Sequence, residues 1–288
     1  MGNKKEVGAG RQMVIMMQRN AEIIVNNRAK LGMIVLFPVV IGLLLSYVSR
    51  KNTFECFENA SSALFAITSA VIYIGMFNSL TEICKERSIV KREYMTNMKI
   101  PSYIMSILLV QAVICLVQSV IMTAICYALL DFPSSDLIFN GGSFLKYYIS
   151  IFLIMYAADA MGMLISSIVR TNELANLIAP IIIIIQLVLS GVLFKLSGGV
   201  IEFISKLTIS HWGMSALGRI AHLNGMISRA VLEDESGQLA AIMPTASESY
   251  YVASSKELLL VWLVLLIFIA VFAILSMLFL RRIEKDAR

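Results

Sequence analysis

Charge is what this sequence is short of. Only 15% of its 288 residues are charged, against about 25% in soluble domains, which excludes an ordinary water-soluble fold. Cysteine is scarce too, with four residues in the chain. Cys84 falls in a charged segment, Cys115 and Cys126 share one apolar run, and Cys56 is alone in a short polar loop. That distribution excludes a disulfide framework between exposed loops and leaves buried or idle thiols. The two histidines, His211 and His222, have no cysteine near them, so the spacing of a zinc site is missing. The acidic "EDES" at 233–236 lacks the alternating ligands and glycine of a calcium loop. No G-x-x-x-x-G-K-[ST] phosphate loop occurs, and "GAGRQ" at 8–12 lacks both its lysine and its spacing. No HExxH or G-x-S-x-G motif and no Ser-His-Asp set is present, so no hydrolytic site is expected. The opening "MGNKKE" carries Glu6 where an acylation signal needs Ser or Thr. The polar, basic first stretch also lacks the pattern of a cleavable signal peptide.

What is abundant is apolar sequence in long runs. Hydrophobic residues make up 58% of the chain and mean hydropathy is +0.81. A bilayer crossing takes ~20 apolar residues of helix. Six such spans are expected: Leu31–Val48 with Pro38 inside it, Ala60–Leu80, Pro101–Leu130, Lys146–Val169, Leu174–Phe194 and Leu258–Leu280. Pro101 suits the first turn of a helix, where its missing N–H costs nothing. With an inside N-terminus, sixteen Lys and Arg fall on the cytoplasmic side and eight outside, most of the eight in one long loop. Charge in long loops has little topological weight, so both termini are expected in the cytoplasm. The net charge of +5 then faces the inner membrane surface, and no nucleic acid need be invoked.

Two regions are too polar to span. "RQMVIMMQRNAEIIVNNRAK" at 11–30 aligns Met13, Met16, Met17, Ala21 and Ile24 along one stripe, which predicts an interfacial helix on the inner leaflet. The stretch 195–257 holds Trp212, Ala216, Ile220 and Leu223 at helical spacing. A short helix packed near the outer interface is expected there, since Trp favours that depth.

The longest charged interruption is "EICKERSIVKREYMTNMKIP", with five basic and three acidic residues. Ile83, Val90 and Tyr94 share one helical face, and Glu82, Glu86 and Glu93 another. Arg87 and Lys91 are one turn apart. The periodicity predicts an amphipathic helix over 82–98 that presents charge to the cytoplasm.

With its flanks this segment resembles the loop between the second and third spans of ABC-2-type permeases, particularly the G (White) subfamily and its bacterial relatives. The matching residues are Glu82, Glu86, Arg87, Arg92, Glu93, Ser102 and Tyr103. "NLIAPIIIIIQLVLSGVLFKLSG" is similar to that family's fifth span with its exit at Ser190 and Gly191, and "SHWGMSALGRI" occupies the place between spans five and six. The resemblance covers roughly residues 11–288. It implies an all-α membrane protein of one permease domain. Residues 1–30 would form the cytoplasmic tail and interfacial helix, 31–194 spans one to five, 195–257 the extracytoplasmic loop, and 258–288 the last span and tail. It further implies a coupling helix at 82–98 that meets a nucleotide-binding subunit through Glu82, Glu86, Arg87, Lys91, Arg92 and Glu93. Two six-span units would form the pathway, as a homodimer or heterodimer, in a bacterial plasma membrane. With no phosphate loop here, ATP and Mg are expected on a separate polypeptide, with no cofactor, metal or catalytic residue on this chain. Family members often carry the nucleotide-binding domain before the spans, and the eukaryotic members' outer-loop disulfides have little counterpart here.

Polar and aromatic residues within the spans are candidates for the substrate pathway: Phe65, Tyr73, Phe77 and Asn78 on span two, and Gln186, Leu187 and Ser190 on span five. Gln111 and Gln118 are suited to bonds between helices. Asp159 is the one acidic residue well inside a span, where a charge is costly and marks a functional candidate by default. A structural role in packing and a role in transport both remain open for it. A rival function follows from Asp159: an ion-coupled secondary transporter or membrane scaffold, although no convincing inverted repeat accompanies it.

Overall fold

The computed structural model describes residues 8–49, 53–95, 98–130, 132, 142–194, 199–228, 232–233, 239–240, 243–244, 251 and 254–281. Ten α-helices carry the described chain: α1 (Ala9–Asn26), α2 (Arg28–Val48), α3 (Phe57–Ser79), α4 (Glu82–Met95), α5 (Ile100–Leu129), α6 (Ser143–Ile168), α7 (Asn172–Val188), α8 (Gly199–Ser205), α9 (Ile209–Ile220) and α10 (Ser255–Leu280). Between α9 and α10 lie two antiparallel pairs of two-residue strands. Ile227–Ser228 pairs with Met243–Pro244, and Leu232–Glu233 with Leu239–Ala240. Five segments are long and apolar enough to cross a membrane, and α7 is a shorter apolar helix beside them. The protein is a multi-pass membrane protein.

Local sequence accounts for most helix ends. Pro101 sits in the first turn of α5. Asn27 separates α1 from α2, its side chain accepting from the Lys30 amide at 3.0 Å as an N-cap. Thr171 and Thr208 do the same for α7 and α9. Pro38 and Pro180 lie inside α2 and α7, which a membrane helix tolerates where neighbours satisfy the freed backbone groups.

Helix α6 is the axis of the bundle, buried along most of its length, with α3, α5, α9 and α10 packed around it. Its seam with α3 depends on glycine. A Cβ at Gly75 would fall on the Met155 carbonyl oxygen, and one at Gly162 on that of Met76. Two backbones therefore meet with no side chain between them, the close approach that small residues permit in membranes.

The largest departure from the expected layout concerns the fifth span and the helix α9 beyond it. Helix α7 stops at Val188, and Gly191 adopts a positive φ of 84°. At 17 residues it is ~25 Å long, short of the ~30 Å hydrocarbon core. Helix α9, expected near an outer interface, is instead buried along almost its whole length. Gly213 lies against Thr68 in the middle of α3 and Ile154 in the middle of α6. Arg219, near its other end, pairs with Glu257 in the first turn of α10. Thus α9 begins halfway through the bundle and runs to the end opposite α4. Together α7 and α9 make one crossing from two pieces. Irregular backbone at that depth is tolerated because it is enclosed by protein.

Candidate functional site

Helix α4 lies across one end of the bundle and is fastened on three sides. Its first turn is capped from α6, where Ser166 Oγ accepts from the amides of Ile83 at 3.0 Å and Cys84 at 3.1 Å. Arg87 Nη1 donates to the Val169 carbonyl at 2.9 Å, closing the same joint from the other face. Toward α1, Arg19 bridges two turns of α4, with Nη1 at 2.6 Å from Glu93 and Nη2 at 3.3 Å from Glu86. Glu86 also accepts from Tyr103 Oη of α5 at 3.1 Å. Toward α2, Lys30 Nζ reaches Glu82 at 2.5 Å, and Lys85 reaches the same oxygen at 2.8 Å. Burial pushes the Glu82 carboxyl up, but Lys30 and Lys85 outweigh it and hold the group below its ordinary value.

This arrangement distributes the expected coupling residues over two faces. Glu82, Glu86, Arg87 and Glu93 bond to α1, α2, α5 or α6. Lys91 is half-buried, while Arg92 is exposed. The surface left open along α4 is Lys85, Ser88, Ile89, Arg92 and Met95, a helical stripe by spacing. It is basic with apolar residues between, and no acidic residue lies in it. A charge count along α4 could not reveal this division, because, Lys85 apart, the residues that claim the three glutamates lie 52 to 74 positions away or on the next span. Residues 96–97 of the expected helix lie outside the described residues.

The expected pathway residues also separate. Tyr73 and Phe77 meet in a tilted contact, 4.4 Å between ring centroids. They continue a stripe of α3 that includes Ser62, Phe65, Ala66 and Ser69, and Tyr73 is 44% exposed. Leu187 packs partly buried against the core. Gln186 and Ser190 are buried away from the stripe. Gln186 joins the two halves of the broken crossing: its Oε1 accepts from the Ser210 amide at 3.1 Å, and its backbone carbonyl accepts from Ser210 Oγ. Around that joint Ser205 Oγ donates to the Leu189 carbonyl at 2.7 Å and meets His211 Nδ1 at 3.0 Å. Asn78 turns into the bundle, donating to Gln118 Oε1 at 2.6 Å. Gln111 Nε2 donates to the Asn78 carbonyl at 3.2 Å, and Gln118 Nε2 to that of Ile34 at 3.1 Å. Asn78, Gln111 and Gln118 thus form a polar layer linking α2, α3 and α5, and Asp159 lies fully buried beside it.

Arg19, Lys30, Ser166 and Ser210 bond to expected site residues and were not read from the sequence; Tyr103 was, as a position of the family motif. Arg19 offered one signal, as a cation on the polar face of an amphipathic stretch. All four cysteines are free and buried, and no cluster of three metal-binding side chains occurs among the described residues. Part of the acidic 233–236 segment lies outside them.

Comparison with known proteins gives this architecture its family. The chain is 22% identical over 224 residues to the ABC transporter ATP-binding/permease protein Rv1747 of Mycobacterium tuberculosis. The match covers 75% of this chain but 26% of that protein, so the chain spans about a quarter of its relative's length. A family model described as ABC-2 type transporter matches residues 11–220, from α1 through the last residue of α9. The chain belongs to the ABC-2 type transporter membrane family.

Proposed function

We propose that this chain is the permease subunit of an ATP-binding cassette exporter, working as a dimer of such units in a bacterial plasma membrane. Nucleotide-binding subunits on a separate polypeptide would drive it. The observation that carries the reading is α4: a helix tied to α1, α2 and α6 at once, with a basic and apolar stripe left open. A push on such a helix cannot be absorbed locally, because it pulls on three other elements. ATP-driven closure of the partner subunits against Lys85, Ile89 and Arg92 is passed through the ion pairs to α1 and α2 and through Ser166 to α6. The bundle then rotates about the dimer axis and opens the pathway to the outside, a rigid-body switch between two packings.

In this reading the α4 end and both termini are cytoplasmic, and residues 195–257 include the extracytoplasmic loop. ATP and Mg belong to the partner, and the catalytic step occurs there. The open stripe of α3 with Phe65, Tyr73 and Phe77 faces the cavity between two copies, where its aromatic surface suits a lipidic or amphipathic cargo. The test is reconstitution of the permease with its nucleotide-binding subunit. Substitution of both Lys85 and Arg92 by Glu should abolish permease-stimulated ATP hydrolysis while the protein still folds. Unchanged stimulation in that variant would sink the proposal.

A further inference from the structure

The α3–α6 seam encloses a carboxyl, that of Asp159, among neighbours that offer it no counter-charge. Asp159 is 0% exposed, and neither carboxylate oxygen finds a donor. An ion taken out of water without a counter-charge or donor costs several kcal/mol, and a membrane interior gives it no relief. Ser79 is a side chain beside it, and its hydroxyl donates to the Asp159 backbone carbonyl at 2.5 Å. A hydroxyl has one hydrogen and two lone pairs, so Ser79 Oγ can accept a hydrogen bond from the carboxyl but cannot supply one. The hydrogen of any bond between them must come from Asp159.

The surroundings favour the same state. One turn further along α6, a Cβ at Gly162 would meet the Met76 carbonyl oxygen and, at 2.8 Å, Ser79 Oγ, so α3 and α6 are in direct contact next to this position. The titratable groups facing Asp159 are Cys115 of α5, Tyr156 one turn away on α6, and, toward the α4 end, Glu82 with its partner Lys30. Glu82 is occupied by Lys30 and Lys85, and no basic side chain is bonded to Asp159 among the described residues. A second orphan lies in the adjoining polar layer, where Gln111 Oε1 is buried without a donor. Gln111 also lines a small cavity with Asn20, Glu82 and Glu86.

We propose that Asp159 is a proton-binding site locked in the α3–α6 seam: the closed seam holds the neutral acid, donating to Ser79 Oγ, and the group ionises only when the seam parts. On opening, the proton passes to entering water and leaves a carboxylate; on closing, the carboxylate takes a proton from solvent. Parting the two helices is thereby tied to release of one proton per chain. This rests on the seam and holds whatever the chain transports.

Infrared spectroscopy of the full chain in lipid nanodiscs, with carbon-13 aspartate, reads the site directly. The other four aspartates lie outside the described residues, so assignment uses variants. At neutral pH we expect one aspartic-acid carbonyl band that shifts on labelling, is lost in Asp159→Asn, and moves toward the free-acid position in Ser79→Ala. Absence of any such band in the labelled wild type overturns the proposal, as does its persistence in Asp159→Asn. So does a carboxylate band that responds to sodium or potassium, which would mark a cation site instead. Should Asp159→Asn fail to fold, the labelled wild type and Ser79→Ala still decide the matter.

Discussion

The two ends of this bundle are closed by opposite chemistry. At the α4 end, charge does the work: Arg19, Lys30 and Lys85 meet Glu82, Glu86 and Glu93 at 2.5 to 3.3 Å, all in partly exposed settings. In the other half, α9 is held mainly by neutral groups and by absent side chains. Gln186 meets Ser210, Ser205 meets His211, and Gly213 and Gly218 lie flush against Thr68 and Tyr251. Ion pairs near water are weak singly and sensitive to salt. Interior packing is strong and intolerant of added volume. One end can exchange partners cheaply, and the other cannot.

That contrast orders the expected effects of mutation. The largest belongs to Gly213→Val, since a Cβ there already meets Thr68 Cγ2 at 2.9 Å and Ile154 at 3.2 Å. Overpacking of this kind costs about 1–3 kcal/mol, and a lowered thermal midpoint in detergent is the measurement. A midpoint equal to wild type would show that α9 is not packed in the core. Next comes Gln186→Leu, which leaves the Ser210 amide without its acceptor. A buried donor left unpaired costs about 1–3 kcal/mol. Here the sharper readout is hydrogen exchange, which should accelerate at the start of α9 and leave α4 unchanged. The smallest effect is Glu82→Gln, about 1 kcal/mol or less. Because the folded carboxyl is held below its ordinary value of 4.5, its pairing stabilises the fold above that pH and is lost as pH falls through the lowered value. The variant should therefore melt more like wild type in acid than at neutrality, and high salt should narrow the gap. An unchanged gap across pH would break the comparison at its charged end.

The sequence disclosed elements whose cause is local and concealed those whose cause is distant. Pro101 announced the start of α5, and the segment from Glu82 announced α4, because both rest on neighbouring residues. The six apolar runs announced the membrane helices for the same reason. The burial of α9 was hidden because Trp212 drew the helix toward an interface and a helical wheel gives no reason to enclose Ser210, His211 and Arg219. Their partners, Gln186, Ser205 and Glu257, lie on other elements that the wheel does not contain. The end of α7 was obscured in a similar way: the chain from Leu187 to Phe194 stays apolar, so hydropathy continues past the point where the helix stops. For Asp159, sequence marked the oddity but not the neighbour that decides its state.

The interrupted crossing has a mechanical consequence. A continuous membrane helix resists bending because every kink strains or breaks hydrogen bonds along its own backbone. Helices α7 and α9 meet through the Gln186–Ser210 contact rather than a shared backbone ladder, and α9 keeps its own packing against α3, α6 and α10. Such a joint lets the less buried α7 change its angle against a fixed α9 while both segments keep their internal ladders intact. The bundle thus contains one crossing that can change direction without melting, beside an α3–α6 pair that touches backbone to backbone.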